Sequence, residues 1–231
     1  MKTTNLKQVL QSNSNEFTSV TPFNLKTKKL CYLDLSDNNT ELTIDEIEDN
    51  EVFGRYIRRF IEENNADLAI GKYNENRTIY RKSEHFTPKG EEPRSIHLGT
   101  DLWLEVGTTI HAPLSGNVHS FQNNDNYGDY GPTIILEHDL DGQTFFTLYG
   151  HLDNNSLKNI HQGQYIAQGK AFCKLGNANE NGQWPAHLHF QIIKDMMDKH
   201  GDFPGVARPS ERDKYLEICP DPGLILGIQT H

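Results

Sequence analysis

The chain has 231 residues and 26.4 kDa, with 22 Lys plus Arg against 32 Asp plus Glu, for a formal charge of −10 at pH 7. At about 100–200 residues per domain, that length allows one large domain or one domain with a smaller companion. The acidic balance argues against nucleic-acid binding, which needs a positive surface facing phosphates, and no apolar run approaches the roughly 20 residues of a membrane-spanning helix.

Cys31, Cys173 and Cys219 are an odd set with no Cys-x-x-Cys pair, which suits neither a disulfide framework nor a thiolate zinc site. The opening MKTTNLKQVLQSNSNEF lacks an apolar stretch of signal-peptide length. Together these features lead to the expectation of a reduced, cytoplasmic protein that does not engage a membrane. Residues 1 to about 24 are polar and turn-rich, either mobile or wrapped around the body.

KKLCYLDLS (28–36) alternates as a strand does and ends in the turn-forming Ser36-Asp37-Asn38-Asn39. A helix is expected next, capped by Thr43 with Glu46 as capping-box partner. Ile44, Ile47, Phe53, Tyr56, Ile57, Phe60 and Ile61 form its buried stripe, and Asn64-Asn65 stops it. Asp45, Glu46, Glu48 and Asp49 sit at the end that the helix dipole favours for acids. ADLAIGKY (66–73) reads as a short strand. These pieces make a small N-terminal α/β extension, residues 1–80.

From 81 to 193 short strands alternate with Gly, Pro, Asn and Asp: SIHLGTDLWLEVG, TIHAPLSGNVHSF, GPTIILEHDLDGQTFFTLYGHL, YIAQGKAFCKLG and AHLHFQII. Asp141-Gly142 marks a tight hairpin, since the pair accepts positive φ. The expectation is a mainly β domain, an antiparallel sandwich or partly closed barrel. Residues 194–231 form a tail packed on this core, with a helix-like KDMMDKH and a second helix, SERDKYLEIC, stopped by Pro220-Asp221-Pro222-Gly223.

Eleven histidines are many for this length, and none falls in the first 80 residues. In AHLHF, His187 and His189 share one strand face while Leu188 and Phe190 share the other, so an anchored strand aims both imidazoles together. An exposed polar face is the competing reading. In HLGTD, a straight strand would hold His97 and Asp101 about 13 Å apart, too far for one zinc. Gly99 permits a bend that brings them to a common centre; a plain surface turn is the alternative. His151, in LYGHL, follows Gly150 at the end of the hairpin strand and by itself reads as a satisfied polar residue.

These groups, His-x-x-x-Asp, then Tyr-x-His, then His-x-His, occur in an order that resembles the M23 zinc metallopeptidases of the LytM and lysostaphin type. APLSGNV, GPTIILEH and IHQGQYIAQGKAFCKLG follow the same run of strands and glycine turns, so the resemblance covers roughly residues 94–193. It implies a LytM-type fold and Zn²⁺ held by His97, Asp101 and His189, with the fourth position open to water. It also implies that His151 and His187 are the unligated catalytic pair. Three protein ligands and an open position are what a catalytic zinc site requires, and two imidazoles with one carboxylate leave a net charge near +1, able to polarise an amide carbonyl. The unmatched N-terminal segment, the loop QNNDNYGDYG and the long tail give the chain a texture similar to the variant domain found in kinase-like/aminotransferase fusion proteins.

Asp129 and Tyr130 of that loop, with Tyr149 and Trp184, are candidates to line a substrate pocket. Arg94, just before the metal motif, is a candidate to bind a carboxylate through paired hydrogen bonds. The leading expectation is a zinc hydrolase cleaving an amide bond in a short or peptidoglycan-like peptide. The alternative is a peptide- or glycan-binding module that keeps the fold without turnover. A cupin-like metal enzyme fits less well, because Phe190, Gln191, Ile192 and Ile193 stand where a following glutamate ligand would be needed.

Overall fold

The computed structural model describes residues 5–43, 46–47, 49–77 and 90–231. From Asn5 onward the chain packs on the body, with Leu6, Leu10, Val20 and Leu25 joining the main core. Asn5 and Gln8 form a capping box for helix α1 (Leu6–Ser12), which buries Leu6, Val9 and Leu10. Strand β1 (Leu30–Leu33) pairs in parallel with β2 (Leu68–Gly71), and helix α2 (Asn50–Glu63) lies between them in sequence.

The expected box between Thr43 and Glu46 is made in both directions, at 2.9 and 3.4 Å, but it does not start the long helix. The Asp49 carboxylate accepts from the Glu51 and Val52 amides and caps α2 instead. Ile44, Asp45 and Glu48 of the expected helix lie outside the described residues, as do His85 and the 80/81 boundary. Phe53, Tyr56 and Ile57 form the buried stripe of α2, with Asn64 as its C-cap.

Ten further strands follow: β3 (Ile96–His97), β4 (Thr100–Trp103), β5 (Thr109–His111), β6 (Gly116–Asn124), β7 (Gly131–Leu140), β8 (Gln143–Gly150), β9 (Tyr165–Ile166), β10 (Ala171–Lys174), β11 (His187–Ile193) and β12 (Val206–Ala207). Eight strands make one sheet in the order β1-β2-β4-β11-β8-β7-β6-β9, antiparallel at every step except β1–β2. The expected mainly β fold is present, and the sheet is open rather than closed into a barrel. Asp141 and Gly142, at φ 52° and 73°, turn the β7–β8 hairpin.

Leu188, Phe190 and Ile192 of β11 pack into the largest core with Leu102, Ile134 and Phe145. The opposite face of β11 carries His187, His189 and Gln191, all buried. Strand alternation therefore anchors one face and dedicates the other to polar work.

In the tail, KDMMDKH is not helical: Met197 and Asp198 take φ 47° and 60°, which breaks a right-handed helix. Met196 packs into a core with Phe203 and Cys219. The second expected helix is α3 (Arg212–Ile218), entered through a 3-10 turn at Pro209–Glu211, and a short α4 (Gly223–Leu226) follows the prolines. All three cysteines are free and buried. Among the described residues no helix is long and apolar enough to cross a membrane.

Candidate metal centre

His97 ends β3, Asp101 lies in β4, and His189 lies in β11, where Asp101 and His189 are direct cross-strand partners. His97 Nε2 is 3.1 Å from His189 Nδ1 and 3.3 Å from Asp101 Oδ1; His189 Nδ1 is 3.2 Å from the same carboxylate oxygen. Gly99, expected to supply a bend, matters at the site through close approach. A Cβ there would sit 2.5 Å from His189 Cε1 and Nε2.

The partners of the outer ring nitrogens fix what the inner ones offer. His97 Nδ1 donates to the Lys72 carbonyl at 2.7 Å, so its Nε2 carries a lone pair. Gln191 donates its amide to the carbonyl of Pro204 at 3.1 Å, which turns its Oε1 toward His189 Nε2 at 2.9 Å. His189 Nε2 is thereby the protonated nitrogen, and Nδ1 is the acceptor. Two imidazole lone pairs and a carboxylate oxygen thus converge with no proton between them. Ligands about 2.0–2.2 Å from a tetrahedral zinc would lie about 3.3–3.6 Å apart, so this buried donor set fits such an ion closely.

Beside this trio stand His151 and His187, their ring centroids 4.1 Å apart. His187 Nδ1 donates to the Pro185 carbonyl and His151 Nδ1 to the Asn181 carbonyl, each at 2.8 Å. Both Nε2 atoms therefore keep their lone pairs, and His187 Nε2 is 3.9 Å from Asp101 Oδ1. Burial, with Arg77 nearby, pushes His97 down to about 4. Burial also pushes His187 to about 4, and burial plus the neighbouring His187 push His151 well below its ordinary value. Burial works to raise the Asp101 carboxyl, but His97 and Arg77 outweigh it and hold the group well below the usual carboxylate range. His151 is held at φ 63°, strained for a non-glycine residue. The Tyr130 carbonyl, accepting from its amide at 2.8 Å, helps fix that conformation.

A cleft of about 170 Å³ opens onto the site, lined in part by Arg94, Asp129, Tyr130, Trp184, His151 and His187. The Tyr130 ring packs where Gly150 leaves room, since a Cβ there would come within 2.7 Å of it, and its hydroxyl lies 3.4 Å from His189 Nε2. Tyr149 does not line the cleft. It is fully buried on the opposite face of β8 beside Phe190, its hydroxyl bonded to Thr147 at 2.9 Å. Gly150, one step on, pairs with His189 across the ladder. Alternation alone would return His151 to the side of Tyr149, but the strand ends at Gly150 and His151 takes φ 63°.

Three contributors have no counterpart in the sequence reading. Arg77 donates to Asp101 Oδ2 at 2.6 Å. Trp103 packs on His187 with centroids 4.2 Å apart. Gln191 orients His189. The partnership of Gln191 was open to inspection, since it shares a strand face with His187 and His189; Arg77 gives no such signal.

The sequence model of Peptidase family M23 matches residues 95–201. The chain carries a peptidase M23 domain. Two relatives from Vibrio cholerae serotype O1 are similar to it. Peptidoglycan DD-endopeptidase ShyA is 28% identical over 119 residues, covering 49% of this chain and 25% of the relative. Peptidoglycan DD-endopeptidase ShyC is 28% identical over 124 residues, covering 52% and 26%. The chain thus spans about a quarter of the length of these curated relatives. Among solved structures, the catalytic domain of lysostaphin from Staphylococcus simulans is similar at 24% identity and a TM-score of 0.37, over 52% of this chain and 80% of that one. A zinc-containing peptidase from Vibrio cholerae is similar at 24% identity and a TM-score of 0.35, over 42% and 27%. The M23 match begins just before His97 and ends after His189, so it contains all five residues of the constellation.

Proposed function

We propose that the M23 domain is a zinc-dependent hydrolase that cleaves a peptide amide bond, with peptidoglycan-type peptides as its substrate class. The observation that carries this reading is the convergence of His97 Nε2, Asp101 Oδ1 and His189 Nδ1 within 3.3 Å of one another, three acceptors with no donor among them. Zinc held by these atoms would supply Lewis-acid chemistry, polarising the scissile carbonyl and making a water acidic enough to react near neutral pH.

The chain's own residues supply proton handling. Burial disfavours the protonated form of His151 and His187, whose Nδ1 atoms are anchored on carbonyls with Nε2 available. One imidazole accepts a proton as the water attacks, and an imidazolium then donates to the departing amine. A protonated ring also hydrogen-bonds the developing oxyanion. Trp103 against His187 limits that ring's motion. The peptidoglycan assignment is supported by the similarity to the two Vibrio peptidoglycan DD-endopeptidases.

Five alanine variants test the reading. H97A, D101A and H189A are expected to lose zinc in elemental analysis. H151A and H187A are expected to keep zinc and lose amine release from peptidoglycan-type peptides. Equal zinc contents across all five would overturn the ligand assignment. A zinc-loaded parent that binds such peptides without releasing amine would identify a binding module instead.

A further inference from the structure

Asp101 has two oxygens, and only Oδ1 faces the histidines. The other is taken by Arg77, whose Nη1 donates to Oδ2 at 2.6 Å. The same guanidinium donates from Nε to Glu75 Oε2 at 2.9 Å and from Nη2 to the Lys72 carbonyl at 3.3 Å. Arg77 is 1% exposed, so this is a buried, multiply bonded cation rather than a surface ion pair. Its backbone is also fixed: the Arg77 amide donates to Ser95 O at 2.8 Å, and the His97 amide donates to Glu75 O at 2.9 Å. Gly71 leaves the room it needs, since a Cβ there would lie 2.7 Å from Arg77 Nη2 and 2.8 Å from Asp101 Oδ2.

The segment from Gly71 to Arg77 lies outside the matched residues 95–201, yet it holds two of the three donors. The Lys72 carbonyl sets the His97 tautomer, and Arg77 occupies one oxygen of Asp101. We infer that Arg77 is a positioning residue that makes Asp101 a one-oxygen ligand, with Glu75 holding Arg77 in place. Resting on the metal-centre reading above, this assigns the N-terminal segment a part in setting metal affinity and coordination number. With Oδ2 tied to a guanidinium, the carboxylate cannot chelate through both oxygens, and a coordination position stays available to substrate.

The test uses the full chain loaded with Co²⁺, read by chelator competition and by its visible d–d spectrum. R77K keeps the charge but loses the fork that grips Glu75, Lys72 O and Asp101 together. E75Q leaves the Arg77 side chain unaltered and removes the carboxylate that anchors it. Both folded variants are expected to bind the metal about 10–100-fold more weakly, the usual range for losing an outer partner of a ligand. Their spectra are expected to weaken as Asp101 becomes free to bind through both oxygens. A folded R77K or E75Q with parental affinity and spectrum would overturn the inference. So would failure of both variants to fold, which would assign Arg77 to the architecture alone. A parent chain that takes up no cobalt would instead remove the metal-centre reading, so the two failures are distinguishable.

Discussion

Gln191 holds His189 from two positions along the same strand, its Oε1 accepting from His189 Nε2 at 2.9 Å. The Gln191 amide is itself committed to Pro204 O at 3.1 Å and Cys219 Sγ at 3.3 Å, so it cannot turn without losing both. This contact sets which nitrogen of His189 faces Asp101. Gln191→Leu keeps much of the volume and removes the acceptor. Zinc affinity is expected to fall about 10–100-fold while the protein still folds, as measured by chelator competition alongside a thermal melt. Parental affinity in the folded variant would show that the imidazole needs no such support.

Close approach at Gly99 makes a second prediction. An alanine Cβ would meet the His189 ring at 2.5 Å and the Phe190 carbonyl at 2.9 Å, neither of which is a free side-chain end. Gly99→Ala is expected to destabilise by about 1–3 kcal/mol, as overpacking in a tight site does, and to lose stoichiometric zinc. Gly107→Ala is the control. Its φ of 78° makes the substitution strained, but no atom lies within 4 Å of the added Cβ. It should lower the melting temperature and leave zinc content unchanged. Zinc loss in both variants would point to general destabilisation rather than a clash at the site.

The alternation in AHLHF and the Asp141-Gly142 turn made the strand face and the hairpin legible, because each depends on neighbours in sequence. The aromatic character that makes Tyr149 a pocket candidate does not say which strand face it takes, and it lies on the face shared with the core. The Thr43–Glu46 box forms as its spacing predicts but does not begin the long helix, since Asp49 caps the next turn more directly. Helix α1 was legible after the fact: Asn5, Gln8 and the spacing of Leu6, Val9 and Leu10 are a capped amphipathic turn too short for a periodic signal. Arg77 was not legible. Its stretch has no periodicity, and its meaning comes from an oxygen 24 residues away.

Arg94 lines the same cleft as His151 and His187, where a carboxylate contact is proposed for it. Arg94→Ala is expected to raise KM about tenfold or more, the scale of a lost charged hydrogen bond. Zinc content and kcat should be unchanged. Steady-state hydrolysis of peptides with free and amidated carboxyl groups checks this, and the amidated substrates should be insensitive to the substitution. Unchanged KM on every substrate would remove Arg94 from substrate recognition.

His138 carries a pH dependence separate from the metal site. It is buried, Nδ1 donates to Ser115 O at 3.0 Å, and Nε2 lies 2.7 Å from Thr147 Oγ1. Burial pushes its pKa from 6.5 down to about 4, against the opposing pull of the Ser115 carbonyl. The unfolded chain therefore binds this proton below about pH 6.5 and the folded chain does not, so stability falls as pH drops from 6.5 toward 4. The full effect approaches about 3 kcal/mol, at 1.36 kcal/mol per pKa unit. His138→Gln removes the titration while keeping a polar side chain of similar reach. Its unfolding free energy, followed by urea titration between pH 7 and 4, is expected to decline less steeply than that of the parent. Parallel curves would show that acid lability arises elsewhere, the buried imidazoles at positions 97, 151 and 187 being the next groups to examine.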